Sequence, residues 1–249
     1  MFSRRRVPGI PAGITAHAQP TIPELTPSSF ADCVKWHDAR ELSAGAVNVW
    51  PDRSTLAQDY IGTGHAPTAS ATSFNSKPGV GSFDATHYLL KSGFTGLNGK
   101  TAFTLFLLAH FGTNDTTRCP FNIGINPGVQ ILANYLAGGD LVAAIDNGGG
   151  YAQETAFSDG DYLITLTGDR AATPECNLYI NDVLHNDDNV DGATGAFATA
   201  DSRLGAYTNS LLYPFDGGGV IGFVAMYSRV VTSQERATMK AFLFEKWGL

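Results

Sequence analysis

Asp187, Asn189 and Asp191 stand at alternate positions and are followed by Gly192. Oxygen ligands at that spacing, ahead of a glycine that permits a sharp turn, match the first half of a calcium loop. The last liganding position of such a loop should be an acid, and here it is Ala198. Two readings follow. One is a calcium site with a Kd on the order of 10⁻⁴ M or poorer. The other is a solvated polar turn after the strand that contains Tyr179 and Ile180. No other cofactor is expected.

The remaining reactive residues do not assemble into a catalytic set. Glycoside hydrolysis generally needs two carboxylates flanking the scissile bond. The six glutamates (Glu24, Glu41, Glu154, Glu175, Glu235 and Glu245) are dispersed along the chain. No Gly-x-Ser-x-Gly elbow occurs, and no cysteine lies in an activating context. His17, His37, His65, His87, His110 and His185 lack the close spacing of zinc ligands. A non-enzymatic protein is the expectation. Tyr151, Tyr207 and Tyr213 lie beside glycine-rich or polar segments, where a ring can serve as a sugar platform or as a partial lid on the core.

Strands must position these groups. Residues 101–110 form an apolar run after an Asn98-Gly99 turn, rich in β-branched and aromatic residues. Residues 161–167 alternate, with Tyr162, Ile164 and Leu166 on one face and Thr165 and Thr167 on the other. Residues 177–181 place Leu178 and Ile180 together, and 128–135 with 140–146 suggest a hairpin. Residues 219–229 read as one more apolar strand. Thr232 and Glu235 then stand at capping-box spacing, and Met239, Phe242, Leu243 and Trp247 make one apolar helical stripe that ends at Gly248. The sequence predicts an all-β, two-sheet antiparallel sandwich over residues 31–249, with one C-terminal helix from about Thr232 to Trp247 packed along one edge.

This ending resembles the closing segment of concanavalin A-like lectin/glucanase (laminin G-like) jelly-roll domains, found in many phage and bacterial surface proteins. Three further segments resemble the family in order: residues 34–39 with Trp36 and Asp38-Ala39, then Trp50-Pro51-Asp52-Arg53-Ser54, then Lys77-Pro78 through Phe83-Asp84-Ala85 to Tyr88-Leu89. Ala85 replaces the family's usual glycine. The resemblance implies a jelly roll in which Trp36, Trp50 and Trp247 pack in the core. Its glucanase members carry a Glu-x-Asp-x-x-Glu strand, and no two glutamates here share that spacing. The resemblance then implies an interaction role: a phage virion accessory protein of the capsid or tail, present in multiple copies, or a carbohydrate-binding module that recognises a surface glycan.

With 249 residues, 43% of them hydrophobic, the chain can bury one sizeable core. Its net charge of −7 opposes binding to nucleic acid or an anionic membrane. Cys33, Cys119 and Cys176 cannot all pair within one chain and read as buried thiols, consistent with folding in a host cytoplasm. Residues 1–30 differ from the body. Pro8, Pro11, Pro20, Pro23 and Pro27 preclude a helix, and Arg4, Arg5 and Arg6 make the segment basic. Prolines and glycines between residues 7 and 15 also spoil it as a signal peptide. The segment is expected to be an extended arm that attaches the body to other virion proteins. Val7, Ile10, Ile14, Ile22 and Leu25 would be its apolar anchors, and Arg4 to Arg6 its charged ones.

Overall fold

A computed structural model describes residues 26–249 apart from 75, 113–115, 125–127, 135–138, 146–149, 187, 193–194 and 208–212. The expected arm anchors Arg4, Arg5, Arg6, Val7, Ile10, Ile14, Ile22 and Leu25 lie outside the described residues.

In chain order the first strands are β1 (Cys33–Asp38), β2 (Gly45–Ala46), β3 (Val49–Trp50), β4 (Tyr60–Ile61), β5 (Thr68–Phe74) and β6 (Lys77–Gly81). Next come β7 (Leu89–Phe94), β8 (Ala102–Phe111), β9 (Arg118–Ile123), β10 (Val129–Ala133), β11 (Leu141–Ile145) and β12 (Gly150–Glu154). The last are β13 (Gly160–Asp169), β14 (Cys176–Ile180), β15 (Val183–Leu184), β16 (Asp188–Val190), β17 (Ala200–Leu204) and β18 (Val220–Tyr227), followed by helix α1 (Ser233–Trp247).

They form two antiparallel sheets. The first runs β15-β14-β13-β8-β18-β6-β5-β2, with β1 also paired to β18; the second runs β16-β12-β11-β10-β9-β17-β7-β4-β3. The expected two-sheet sandwich is therefore the observed one. The expected strands at 101–110, 161–167 and 177–181 appear as β8, β13 and β14, and the expected hairpin appears as β10 paired with β11.

β8 and β18 sit at the centre of the first sheet, and β18 is buried at every position. One face of this pair looks into the sandwich. Leu105 lies opposite Met226, which lies opposite Lys35, and the Lys35 ammonium reaches Tyr60 and Phe94 of the second sheet. The other face carries Thr104, Phe106 and Tyr227, and it needs a cover of its own. Helix α1 supplies part of it, while Phe30 lies edge-on to Tyr227 at 6.3 Å and Thr104 is bonded to the Arg229 carbonyl and the Val231 N–H. Arg236 stacks 3.9 Å above the Tyr179 ring of β14 and pairs with Asp182, while Trp247 packs edge-on to Phe74 of β5 at 5.3 Å. The helix thus crosses the outer face of the first sheet instead of lying along an edge. Apolar surface is concentrated at mid-sheet, so a helix at the edge would leave it wet.

Thr232 and Glu235 form the expected capping box, and Gly248 closes the helix at φ 71°. Trp50 and Trp247 are fully buried, while Trp36 is half-buried. Asp52 in the Trp-Pro-Asp-Arg-Ser segment organises its turn, accepting from the Trp36 N–H at 3.0 Å, the Ser54 N–H at 2.9 Å and the Gln58 N–H at 2.8 Å. Residues 26–32 are tied to the body: the Tyr227 hydroxyl donates to the Pro27 carbonyl at 2.9 Å, and the Trp36 indole to Ser28 Oγ at 2.9 Å. Among the described residues, no helix is long and apolar enough to cross a membrane.

Candidate functional site

Among the described residues no helix lies on the outer face of the second sheet, and strand register shows what that face carries. Trp50, Tyr60, Leu89, Leu204 and Phe121 are core residues, so their neighbours Val49, Ile61, Leu90, Arg203 and Asn122 point outward. Cross-strand partners share a face. Val49 pairs with Ile61, Ile61 with Leu90, Leu90 with Arg203, and Arg203 with Asn122. Asn122 pairs with Gln130, Gln130 with Ala144, and Ala144 with Tyr151. One row of side chains therefore crosses from β3 to β12, a span of roughly 35 Å at ordinary strand spacing.

The row changes character along its length. At the β3 end Val49 and Ile61 are each 44% exposed. At its centre Arg203, Asn122 and Gln130 are buried polar groups. Arg203 donates to the Asp201 carboxylate at 3.0 Å, and Asp201 also accepts from the Gly93 N–H at 3.0 Å and Ser92 Oγ at 3.1 Å. Partial burial alone would raise the Asp201 pKa, but these hydrogen bonds and the Arg203 charge outweigh it, and the net shift is downward. The Asn122 amide donates to the Gly124 carbonyl at 3.0 Å, while its Oδ1 has no hydrogen-bond partner among the described residues.

At the other end Cys119, Leu132, Val142 and Ala144 form a small apolar cluster separate from the main core, with half-buried Tyr151, Tyr207 and Tyr213 packed on it. The Tyr207 and Tyr213 rings lie 5.6 Å apart, and the Tyr213 carbonyl accepts the Cys119 N–H at 2.9 Å. Burial pushes the Cys119 thiol well above the ordinary range, so it behaves as an inert apolar group. Half-buried aromatic rings held over such a cluster can stack on the C–H faces of a sugar, with the polar row beneath fixing the strands that carry them.

The structure brings together the three tyrosines noted in the sequence and sets them as lids on this second cluster. Asn122, Gln130 and Arg203 escaped notice in the sequence. Asn122 and Gln130 do carry a local signal, each being one polar residue between two apolar ones.

The other candidates are dispersed. Asp187 lies outside the described residues, and Asn189 belongs to β16, where it pairs with Ala152 of β12. Asp191 accepts the Glu175 N–H at 2.7 Å, and Glu175 in return accepts the Gly192 N–H at 3.0 Å. Among the described residues, no group of three or more histidine, cysteine or acidic side chains is placed to hold a metal ion. Asp84 spends its carboxylate on its own turn, accepting from the Thr86 N–H at 2.6 Å and the His87 N–H at 2.8 Å. His87, His110 and His185 each pair with a different acid, Asp84, Asp161 and Glu154 respectively.

No family model matches the chain, and no curated protein matches it. Solved structures share its fold. The chain is similar to Trypanosoma rangeli sialidase in complex with sialic acid, at 14% identity and a TM-score of 0.56, over 88% of this chain and 34% of that one. It is also similar to the binding domain of Paraclostridial Mosquitocidal Protein 1, at 12% identity and a TM-score of 0.57, over 88% of this chain and 53% of that one. The chain thus spans about a third of the sialidase's length and about half of that of the binding-domain structure. At such identities the likeness shows the β-sandwich fold alone.

Proposed function

We propose that the protein is a non-catalytic carbohydrate-binding module that recognises a glycan on the outer face of its second sheet. One observation carries the reading: a buried Arg203–Asn122–Gln130 row runs into a cluster capped by Tyr151, Tyr207 and Tyr213. Two structures of like fold give background support, one a sialidase with sialic acid bound and the other a binding domain. Asp201, the acid next to the row, is held ionised by its hydrogen bonds and Arg203. It is suited to orienting that guanidinium and unsuited to donating a proton to a glycosidic oxygen. No glycan cleavage belongs to this reading.

A glycan array followed by calorimetry tests it. Binding of at least one glycan class is expected, and Tyr151→Ala or Tyr207→Ala should weaken it about tenfold, the worth of one or two good contacts. An array without hits, or hits indifferent to both substitutions, would overturn the proposal.

A compatible second reading concerns display. Residues 1–30 combine five prolines with Arg4, Arg5 and Arg6 against Glu24 alone, while the rest of the chain is acidic. Such a segment suits attachment of the body to a larger assembly, a phage virion in the first instance. Its prolines lower the entropy lost when it orders against a partner.

A further inference from the structure

The interior holds two basic side chains that the binding face does not use. Lys35 and His37 both point inward from β1, and both have no exposed surface. The Lys35 Nζ donates to the Gln58 carbonyl at 2.8 Å and lies 3.8 Å from the centre of the Tyr60 ring and 5.1 Å from that of Phe94. Among the described residues, no carboxylate comes within ion-pairing distance of it. Asp52 has its oxygens committed to the Trp36, Ser54 and Gln58 groups of its own turn. Asp59 accepts the Asp52 N–H at 2.8 Å, and the Tyr60 hydroxyl is engaged with Ser202 Oγ at 2.6 Å.

His37 sits among aromatic rings, 4.8 Å from Tyr60 and 5.5 Å from Trp50, and neither of its ring nitrogens makes a hydrogen bond of ordinary geometry. Among the described strands β1 pairs only with β18, with an irregular register between Cys33 and Lys35, and its other edge is held at Trp36, whose N–H donates to Asp52 at 3.0 Å and whose carbonyl accepts the Arg53 N–H at 2.9 Å.

We propose that Lys35 and His37 form a proton-operated latch: both are enclosed without an acidic partner among the described residues, and β1 opens from β18 as the pair takes up protons from water. Burial brings the Lys35 ammonium pKa down to about 7, against the pull of Asp52 and Asp59 and with the push of Lys91. Burial, then the neighbouring Lys35 charge, holds His37 well below the usual imidazole range, while the backbone at Pro51 and Trp50 acts weakly in the other direction.

The sign follows from linkage. Both groups are weaker bases when enclosed, so the opened state binds the proton first. From the lysine's ordinary 10.5 down to about 7, each pH unit disfavours the closed state by about tenfold. Below 7 the Lys35 contribution is level, and His37 adds a second loss below its ordinary 6.5.

Hydrogen exchange on the full chain tests the latch. Protection of the β1 amides, corrected for intrinsic exchange and measured against β8, should fall about tenfold per unit between pH 9.5 and 7.5. Lys35→Met should flatten that slope. A β1 protection independent of pH, or an equal loss on β1 and β8, would overturn the proposal. Should Lys35→Met not fold, the titration of the Lys35 side-chain carbon signal in the wild type decides. A midpoint near 7 supports the latch, and one near 10.5 ends it.

Discussion

At the level of single residues, Gly222 and Trp247 show how tightly the helix is fitted. A Cβ on Gly222 would come within 2.9 Å of two indole carbons, so the glycine is the socket for the tryptophan. Gly222→Ala should therefore cost about 1–3 kcal/mol by overpacking, and Trp247→Ala about 3–5 kcal/mol by leaving a cavity, both read from urea midpoints. Because the two share one contact, the double variant should cost clearly less than the sum. Glu235 makes a different prediction. Hydrogen bonds from Arg229 first, with those from Thr232, bring its pKa down to about 2, against partial desolvation. A carboxylate depressed in the folded state stabilises above its ordinary value and loses that contribution as pH falls towards 2. Glu235→Gln should accordingly flatten the fall of the melting temperature between about pH 4.5 and 2, and it should also weaken the helix cap. The capping pair was legible in the sequence because both partners lie within four residues. The pairing of Asn122 with Arg203 was not, because it depends on the register of strands far apart in the chain.

Among the elements, legibility followed length. β8 and β13 are long enough for their patterns to declare themselves, and both lie where the sequence indicates. β2, β3 and β4 have two residues each, too few for any alternation, and only their partners make them strands. β16 owes its extended form to pairing with β12, and the calcium-loop spacing of its residues carried no trace of that partner. The helix could be read but its seat could not, because the stripe of Met239, Phe242, Leu243 and Trp247 gives the buried face of α1 and says nothing about the surface beneath it. Since α1 packs on Tyr179, Gly222 and Phe74 across the first sheet, removal of residues 232–249 should expose Phe74, Tyr179 and the strand around Gly222. The truncated chain should aggregate or bind a hydrophobic dye, as light scattering and dye fluorescence would show.

For the molecule as a whole, Pro27 and Ser28 are hydrogen-bonded to the body through Tyr227 and Trp36, so the expected arm of residues 1–30 is tied down from Pro27 onward. If the chain is displayed on a larger assembly as proposed, deleting residues 2–25 should leave the melting temperature within a few degrees of the full chain while abolishing incorporation into that assembly. Incorporation at normal occupancy would remove the arm from the account. Tyr227 and Trp36 face away from the sandwich interior, on the side occupied by α1, whereas the Arg203–Asn122–Gln130 row faces the opposite way. The molecule has, in effect, a back and a front. A scaffold gripping the chain ahead of Pro27 would meet the back and leave the front turned to the surroundings.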